Sequence, residues 1–482
     1  MSTPEHTSGT SPKHRRRWWI IGSAGTALVV IAAGGLIWWN IDSPDHRTTS
    51  ALDEHPLAQT ASQQGWEWTP PEGKKVVGVM PIPSGVAVQL YDGVIALDGV
   101  TGEPTWHYRR QEPSLRAAFT TEDTAHIALT FGKKQADSRR PNDPRIEDLL
   151  LLDTSTGRIV AEQEIEEVGR ERSKYNPVEG AEGARQALSA AGIHHLTDDA
   201  RIEFRAGFTA RSLTFRAGFT ARSLTDGTTL WQNDTVFPWS DEDDSISDAY
   251  LGQTAVVGNT IFAGRSTVSS RSGLIWDYEL IAMNADTGEL RWEQSWPIGD
   301  GRYSTDPTFT LGPNTLALRL YIEEQGRVMD LETGEELSTD PWPEEGGLLA
   351  LTEDGYVAAD QSFDDRGMYY HDHDGELRHR LDPDGVNLEG NHTLALPTTE
   401  SFIALGPDPD DTDDAGRGLL TVDDWETGER TASLPVDWTP RGNKRLTTSI
   451  VWSAETTPFL RQAPGAIIAL DRITGQVSAF TP

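Results

Sequence analysis

The chain has 482 residues with 37% hydrophobic content, 16 Trp and no Cys, so disulfides, thiolate metal sites and cysteine nucleophiles are excluded. Asp and Glu number 75 against 41 Lys and Arg, only seven of them Lys, for a formal charge of −34. Such a surface repels phosphate backbones and excludes a nucleic-acid partner for the bulk of the chain.

The first predicted element is a basic tail, residues 1–17, ending in Lys13-His14-Arg15-Arg16-Arg17. It precedes Trp18 to Trp39, 22 positions without a charged residue. As a helix this run is roughly 33 Å long, enough to cross a hydrocarbon core. Tryptophan pairs stand at both ends, where an indole buries its ring and keeps its N–H among headgroups. A cleaved signal peptide has an apolar core of about 7–15 residues and a small-residue cleavage site, which this run lacks. Cations lie on the N-terminal side and Asp42 and Asp45 beyond. The positive-inside rule therefore predicts a single-pass cell-membrane protein, tail in the cytoplasm and body outside. Residues 40–64 are polar, lack periodicity and read as a stalk.

From residue 65 to 482 one phrase recurs. "ALDGVTGEPTWHY" (96–108) and "ALDRITGQVSAF" (469–480) are its first and last copies, and aligned turn glycines mark eight: Gly102, Gly157, Gly227, Gly288, Gly334, Gly375, Gly428 and Gly475. Spacings of 41 to 70 residues, about 50 in most copies, with a strand–turn–strand unit predict an all-β propeller of about eight four-stranded blades, with seven as the alternative. A short apolar run precedes each turn, and in six copies an Asp or Asn stands four residues before the glycine: Asp98, Asp153, Asn284, Asp330, Asp424 and Asp471. Its side chain can accept hydrogen bonds from the turn backbone. Trp106, Trp231 and Trp292 stand four residues beyond their glycines. Each hairpin cannot bury its apolar faces alone; packing against neighbours in a closed ring does so. "GWEWTP" (65–70) has no turn before it and is expected to close the ring against the C-terminal strands.

These phrases resemble the PQQ-like (pyrroloquinoline-quinone repeat) β-propeller family, whose blades carry Ala-Leu-Asp-x-x-Thr-Gly-x-x-x-Trp. The first and fourth copies match closely; the third and sixth have lost the Thr and the Asp. The resemblance implies Trp packed between blades. It also brings an enzymatic alternative, since quinoprotein members bind PQQ and Ca²⁺ at the axis and oxidise alcohols or sugars. Many of these use an adjacent Cys pair, which this chain lacks, and no Glu/Asn/Asp metal set can be matched here.

Between the third and second turns "FRAGFTARSLT" occurs twice, at 204–214 and 215–225. An eleven-residue period would turn each residue type to the opposite face of one strand, so only one copy is expected in register and the other as a loop, bulge or extra hairpin, with deletion of one copy tolerated. The acidic runs 240–248 and 406–418 lack EF-hand spacing and read as solvated loops, with Ca²⁺ the sharper alternative. His371-x-His373 and His194-His195 are conceivable metal pairs but read as surface histidines, since three or four convergent ligands are required. Asn233 and Asn391 open formal glycosylation sequons. No nucleophile elbow, zinc helix motif or phosphate loop is present.

No catalytic, cofactor-binding or metal residue is therefore assigned and no cofactor is expected. The sequence predicts a membrane-anchored bacterial propeller outside the cell membrane that binds an envelope protein, cationic by charge complementarity, without chemistry. The alternatives are the quinoprotein-like dehydrogenase and an envelope polysaccharide receptor using exposed Trp. The resemblance implies kinship with non-catalytic scaffolds of outer-membrane assembly, from which this chain differs in its helix anchor and its lack of a lipidated Cys.

Overall fold

The structure is a computed structural model describing residues 44–482 except 112–113, 122, 133–145, 167–192, 209–214, 238–245, 270–274, 298–307, 321–324, 340–345, 361–366, 382–393, 409–416, 438–458 and 472–473. Most of both acidic runs, Asn391 and the apolar run 18–39 lie outside the described residues. Among the described residues there is no helix, and none long and apolar enough to cross a membrane.

Eight antiparallel sheets follow one another as blades. Blade 1 holds Val76–Ile82, Gly85–Leu90, Gly93–Asp98 and Pro104–Arg109 in hydrogen-bonded order, with a short fifth strand, Asp45–Arg47, outside the last. Blades 2 to 7 repeat the four-stranded meander at residues 115–166, 193–237, 246–297, 308–339, 346–381 and 394–437. Blade 8 takes three strands from the C-terminus, Phe459–Ala463, Ala466–Leu470 and Val477–Thr481, and its outermost from far upstream, Gln63–Trp68. The register pairs Gln64 with Phe480 and Glu67 with Ser478. The expected closure by the Trp-bearing segment is thus what the chain does, and the blades number eight.

The core sits between blades. Eight apolar clusters among the described residues are each shared by two consecutive blades, and the one joining blades 8 and 1 closes the circle with Trp66, Val88, Leu97, Ile468 and Val477. This is the expected consequence of hairpins that cannot shelter their own faces.

The tryptophans act at these seams by a single geometry. Trp106 on the fourth strand of blade 1 donates its indole N–H to Thr154 O of blade 2 at 2.7 Å, and its ring lies beneath the turn glycine Gly157. Trp231 and Trp292 do the same to Ala285 O and Leu331 O, beneath Gly288 and Gly334. Trp66 completes the series from blade 8 to blade 1, donating to Gly99 O at 2.9 Å beneath Gly102. Between blades 2 and 3 there is no Trp, and Gln163 serves instead. Its amide donates to Leu224 O, the equivalent carbonyl, while its Oε1 accepts from Arg201, itself paired with Glu203.

Two expectations are corrected. The tandem copies are not one regular strand plus an insertion. Ala200–Phe208 and Phe215–Ser223 are the second and third strands of blade 3, and the copies pair with each other, Phe204 with Phe219 and Phe208 with Phe215 about Ala206–Ala217. An odd repeat forbids both copies in one strand, but two antiparallel strands take one copy each with no conflict of face. The eighth phrase is also displaced. Seven copies connect the third and fourth strands of their blades, whereas the turn with Gly475 connects the second and third of blade 8. It therefore lies on the opposite face of the ring, against Pro70 and Val76.

Candidate interaction face

In an antiparallel four-stranded blade, the first–second and third–fourth connections emerge at the same end. Blades 1 to 7 thus gather their phrase turns and their first hairpin turns on one side, here the turn face. The phrase dictates the turn locally. In blade 1, Asp98 Oδ1 accepts from Thr101 N at 2.8 Å, Val100 N at 3.1 Å and Thr101 Oγ1 at 2.9 Å, and Gly102 N donates to Asp98 O at 2.9 Å. Asp153, Asp330 and Asp424 accept likewise from Thr156, Thr333 and Thr427. In the third copy Ser223 Oγ takes the carboxylate's place, accepting from Thr225 N and Asp226 N. Burial raises the Asp98 carboxyl, and hydrogen bonds from Thr101, His55 and Val100 outweigh it, holding it below the ordinary carboxylate range. Asp153 and Asp330 show the same balance, with Thr156 and Thr333 as principal donors.

These aspartates are occupied by their own turns, and further carboxylates surround them, of which Asp198, Asp226 and Asp286 also accept hydrogen bonds, from Asp123 N, Thr228 and Asn259. Exposed carboxylates crowd the turns: Asp198, Asp199 and Asp226 in blade 3, Asp286 and Glu289 in blade 4, and Glu332 and Glu335 in blade 5. Blade 6 adds Glu353, Asp354, Asp374 and Glu376, and blade 7 Glu400, Glu426 and Glu429. Among the described residues of these turns, Arg158 in blade 2 is the only exposed Lys or Arg. The phrase carries Glu immediately after its glycine in blades 1, 4, 5, 6 and 7, so its repetition delivers the same charge to the same face.

The sector of blades 8 and 1 differs. Its first hairpin turns are Pro464–Gly465 and Pro83–Ser84, beside the phrase turn of blade 1, and a segment of the chain crosses them. Asp45–Arg47 runs up the outside of blade 1, Asp45 opposite Arg109 and Arg47 opposite His107, and Thr49 N donates to Thr156 O at the turn of blade 2. His55 N then donates to Pro83 O, Gly465 N to Pro56 O and Ala58 N to Ala463 O, before Ser62 N meets Thr481 O and the blade 8 strand begins. Leu52, Ala58 and Ala61 reach into seam clusters, and Gln59 binds Thr398 and Thr399 of blade 7. Residues 45–62, which read as free stalk, are a strap laid against the ring.

The histidine pairs converge on no metal set. His371 Nδ1 donates to Gly375 O at 3.2 Å with its ring stacked on Tyr356, and His373 Nε2 donates to Glu353 O at 3.1 Å. His194 and His195 lie in the first strand of blade 3, Ile193–Leu196. Among the described residues no group of three or more His, Asp or Glu could hold a metal ion. Asn233, the first residue of a sequon, uses its amide to donate to Gly288 O across the blade 3–4 seam.

No family model matches the chain, and no curated protein does. Among solved structures it is similar to BamB from Moraxella catarrhalis, at 14% identity over 89% of this chain and 100% of that one, with a TM-score of 0.43. It is similar to the dihydro-heme d1 dehydrogenase NirN at 14% identity over 81% of this chain and 75% of that one, with a TM-score of 0.41. The β-propeller domain of Cps50 (Swd1) from Myceliophteria thermophila is 12% identical over 91% of this chain and 99% of that one, with a TM-score of 0.36. These likenesses are too distant to bear on function.

Proposed function

We propose that the chain is a membrane-tethered, non-catalytic β-propeller outside the cell membrane, and that its turn face receives a cationic protein of the envelope. The observation that carries this reading is the succession of exposed carboxylates on the turns of blades 3 to 7, which outnumber the exposed arginines folded onto them, Arg291 against Asn259 O and Arg378 against Asp372. A field of one sign raises the local concentration of an oppositely charged partner and speeds its capture. A rigid ring presenting many loops on one side suits recognition.

Anchorage by a helix over 18–39 agrees with this choice of face. The strap enters the ring at Asp45, opposite Arg109, at the end of blade 1 away from the turns. Residues 40–44 span at most about 17 Å, so the anchor would hold that end close to the bilayer. The turn face would then point away from the membrane, toward other envelope components.

The test is crosslinking of the purified full chain to envelope extracts, alongside Glu332→Lys/Glu335→Lys and Glu426→Lys/Glu429→Lys variants. The reading expects a basic protein captured by the parent chain, with capture falling as salt rises and strongly reduced in both variants. Capture of glycan alone would favour the polysaccharide reading. Dye-linked alcohol oxidation by protein supplied with PQQ and Ca²⁺ would overturn the non-catalytic one.

A further inference from the structure

The strap brings histidine to an acidic surface in a particular way. His55 Nε2 lies 3.3 Å from Asp98 Oδ2, in the first phrase turn. His107 Nε2, on the blade 1 strand that the strap pairs with, lies 3.0 Å from Asp45 Oδ1 at the strap's entry. His46, between them, donates to Gly157 O at 2.7 Å with its ring edge-on to Tyr108. The strap's other attachments are backbone hydrogen bonds, the amide bonds of Gln59 and Gln462, the Arg109–Asp45 ion pair and apolar contacts of Leu52, Ala58 and Ala61, none of which carries a group that ordinarily changes charge between pH 5 and 8. Histidine is the side chain whose charge ordinarily changes in that range.

We propose that residues 45–62 form a proton-tightened strap, held on the ring more firmly when His55 and His107 are charged. The charges around each group decide the sign. His55 faces Asp98, whose turn also carries Glu103, and it is flanked on the strap by Asp53 and Glu54; the Pro83–Ser84 and Pro464–Gly465 turns beside it add no ionisable group. The ionisable groups named around it are all acidic. His107 faces Asp45, while Arg47 stands opposite it in register and Arg109 shares Asp45 at 3.6 Å. Arg109 thus shares the carboxylate with it, so the His55 contact, with no cation beside it, is the principal one and His107 the lesser. His46 keeps its bond in either state, because its Nε2–H donates to a carbonyl.

The contact with Asp98 matters because that carboxylate also organises the turn over Trp66, the seam that closes the ring. Lower pH would therefore cover the turns of blades 8 and 1 more tightly, and higher pH would free the strap beside the acidic sector. This inference stands whether or not the partner reading does.

Hydrogen exchange of the full chain at pH 8.0 and 5.5, corrected for intrinsic exchange, tests it. Exposed ion pairs are individually weak, so two switching pairs are expected to give about two- to thirtyfold more protection at pH 5.5. That gain is expected at peptides covering 49–62 and not at the buried strands of blade 4. His55→Gln keeps a donor without the charge and should remove most of the pH response, leaving protection at pH 8.0 unchanged. The proposal is overturned if 49–62 exchanges equally at both pH values, if the response survives in the His55→Gln/His107→Gln variant, or if blade 4 responds equally.

Discussion

Gly102→Ala and Gly73→Ala form a matched pair that isolates the closing seam. Both glycines have left-handed backbones, φ +71° and +74°, so an alanine at either costs about 1–2 kcal/mol in conformation alone. Their surroundings differ. A Cβ at Gly73 meets nothing within 4 Å, whereas at Gly102 it lies 2.5 Å from Cδ2 and 2.7 Å from Cγ of Trp66. Carbon atoms rest about 3.5–4.0 Å apart, so the indole must retreat by about 1 Å. Overpacking of this kind costs roughly 1–3 kcal/mol, and stretching the indole's bond to Gly99 O forfeits up to about 1 kcal/mol more. Gly102→Ala should thus exceed Gly73→Ala by about 2–3 kcal/mol in urea unfolding followed by circular dichroism. A smaller ring, Trp66→Phe, should recover part of that excess in the Gly102→Ala background, giving a positive coupling in the double-mutant cycle. Equal losses for the two alanines would refute the claim that Trp66 is packed under the first turn.

Three other outcomes follow from the same geometry. Trp66→Ala removes a buried indole at the seam where the N-terminal strand of blade 8 meets blade 1; about 3–5 kcal/mol should be lost, with proteolysis beginning upstream of residue 70. Deleting residues 204–214 removes residues 204–208 of the second strand of blade 3, five of its nine, and their pairing with the third, so we expect loss of the cooperative thermal transition; a deletion variant with the parent's melting curve would contradict the pairing. Stability should also depend on acid. The Asp98, Asp153 and Asp330 carboxyls are lower in the folded chain than in the unfolded one, so the folded state binds fewer protons. Their contribution is present above the unfolded value of about 3.9 and is lost as pH falls through the folded values. Urea midpoints should be flat from pH 6 to 5 as far as these groups are concerned, and fall below about pH 4, less steeply in Asp98→Asn.

The turns were legible because they are local. A carboxylate, a hydroxyl and a glycine within five residues satisfy one another, and all eight glycines take positive φ. That locality is also why the eighth copy misled: the residues around Gly475 specify a turn, not which pair of strands it connects. Ser223 shows the converse, since its hydroxyl performs the task of the missing Asp without resembling it. The strap was illegible because its attachments are backbone groups meeting turns far away in sequence, such as His55 N on Pro83 O and Gly465 N on Pro56 O, and these leave no periodic trace. Net charge announced an acidic surface, but that the exposed carboxylates of the phrase turns share one face required knowing that those turns emerge together. Gln163 in the place of a Trp carried no signal, because only the geometry reveals that its amide reaches the same carbonyl.

The chain's lack of cysteine permits a direct test of closure. Glu67 and Ser478 are register partners across the joint between the N-terminal strand and the C-terminal blade. Antiparallel partners sit about 4.5–5.5 Å apart at Cα, within the range a disulfide spans. Oxidation of the Glu67→Cys/Ser478→Cys variant should give an intramolecular bond in high yield, seen as faster migration on a non-reducing gel and reversed by reductant. Free thiols, or only intermolecular dimers, would mean that the two ends of the chain do not meet and the ring is not closed as described.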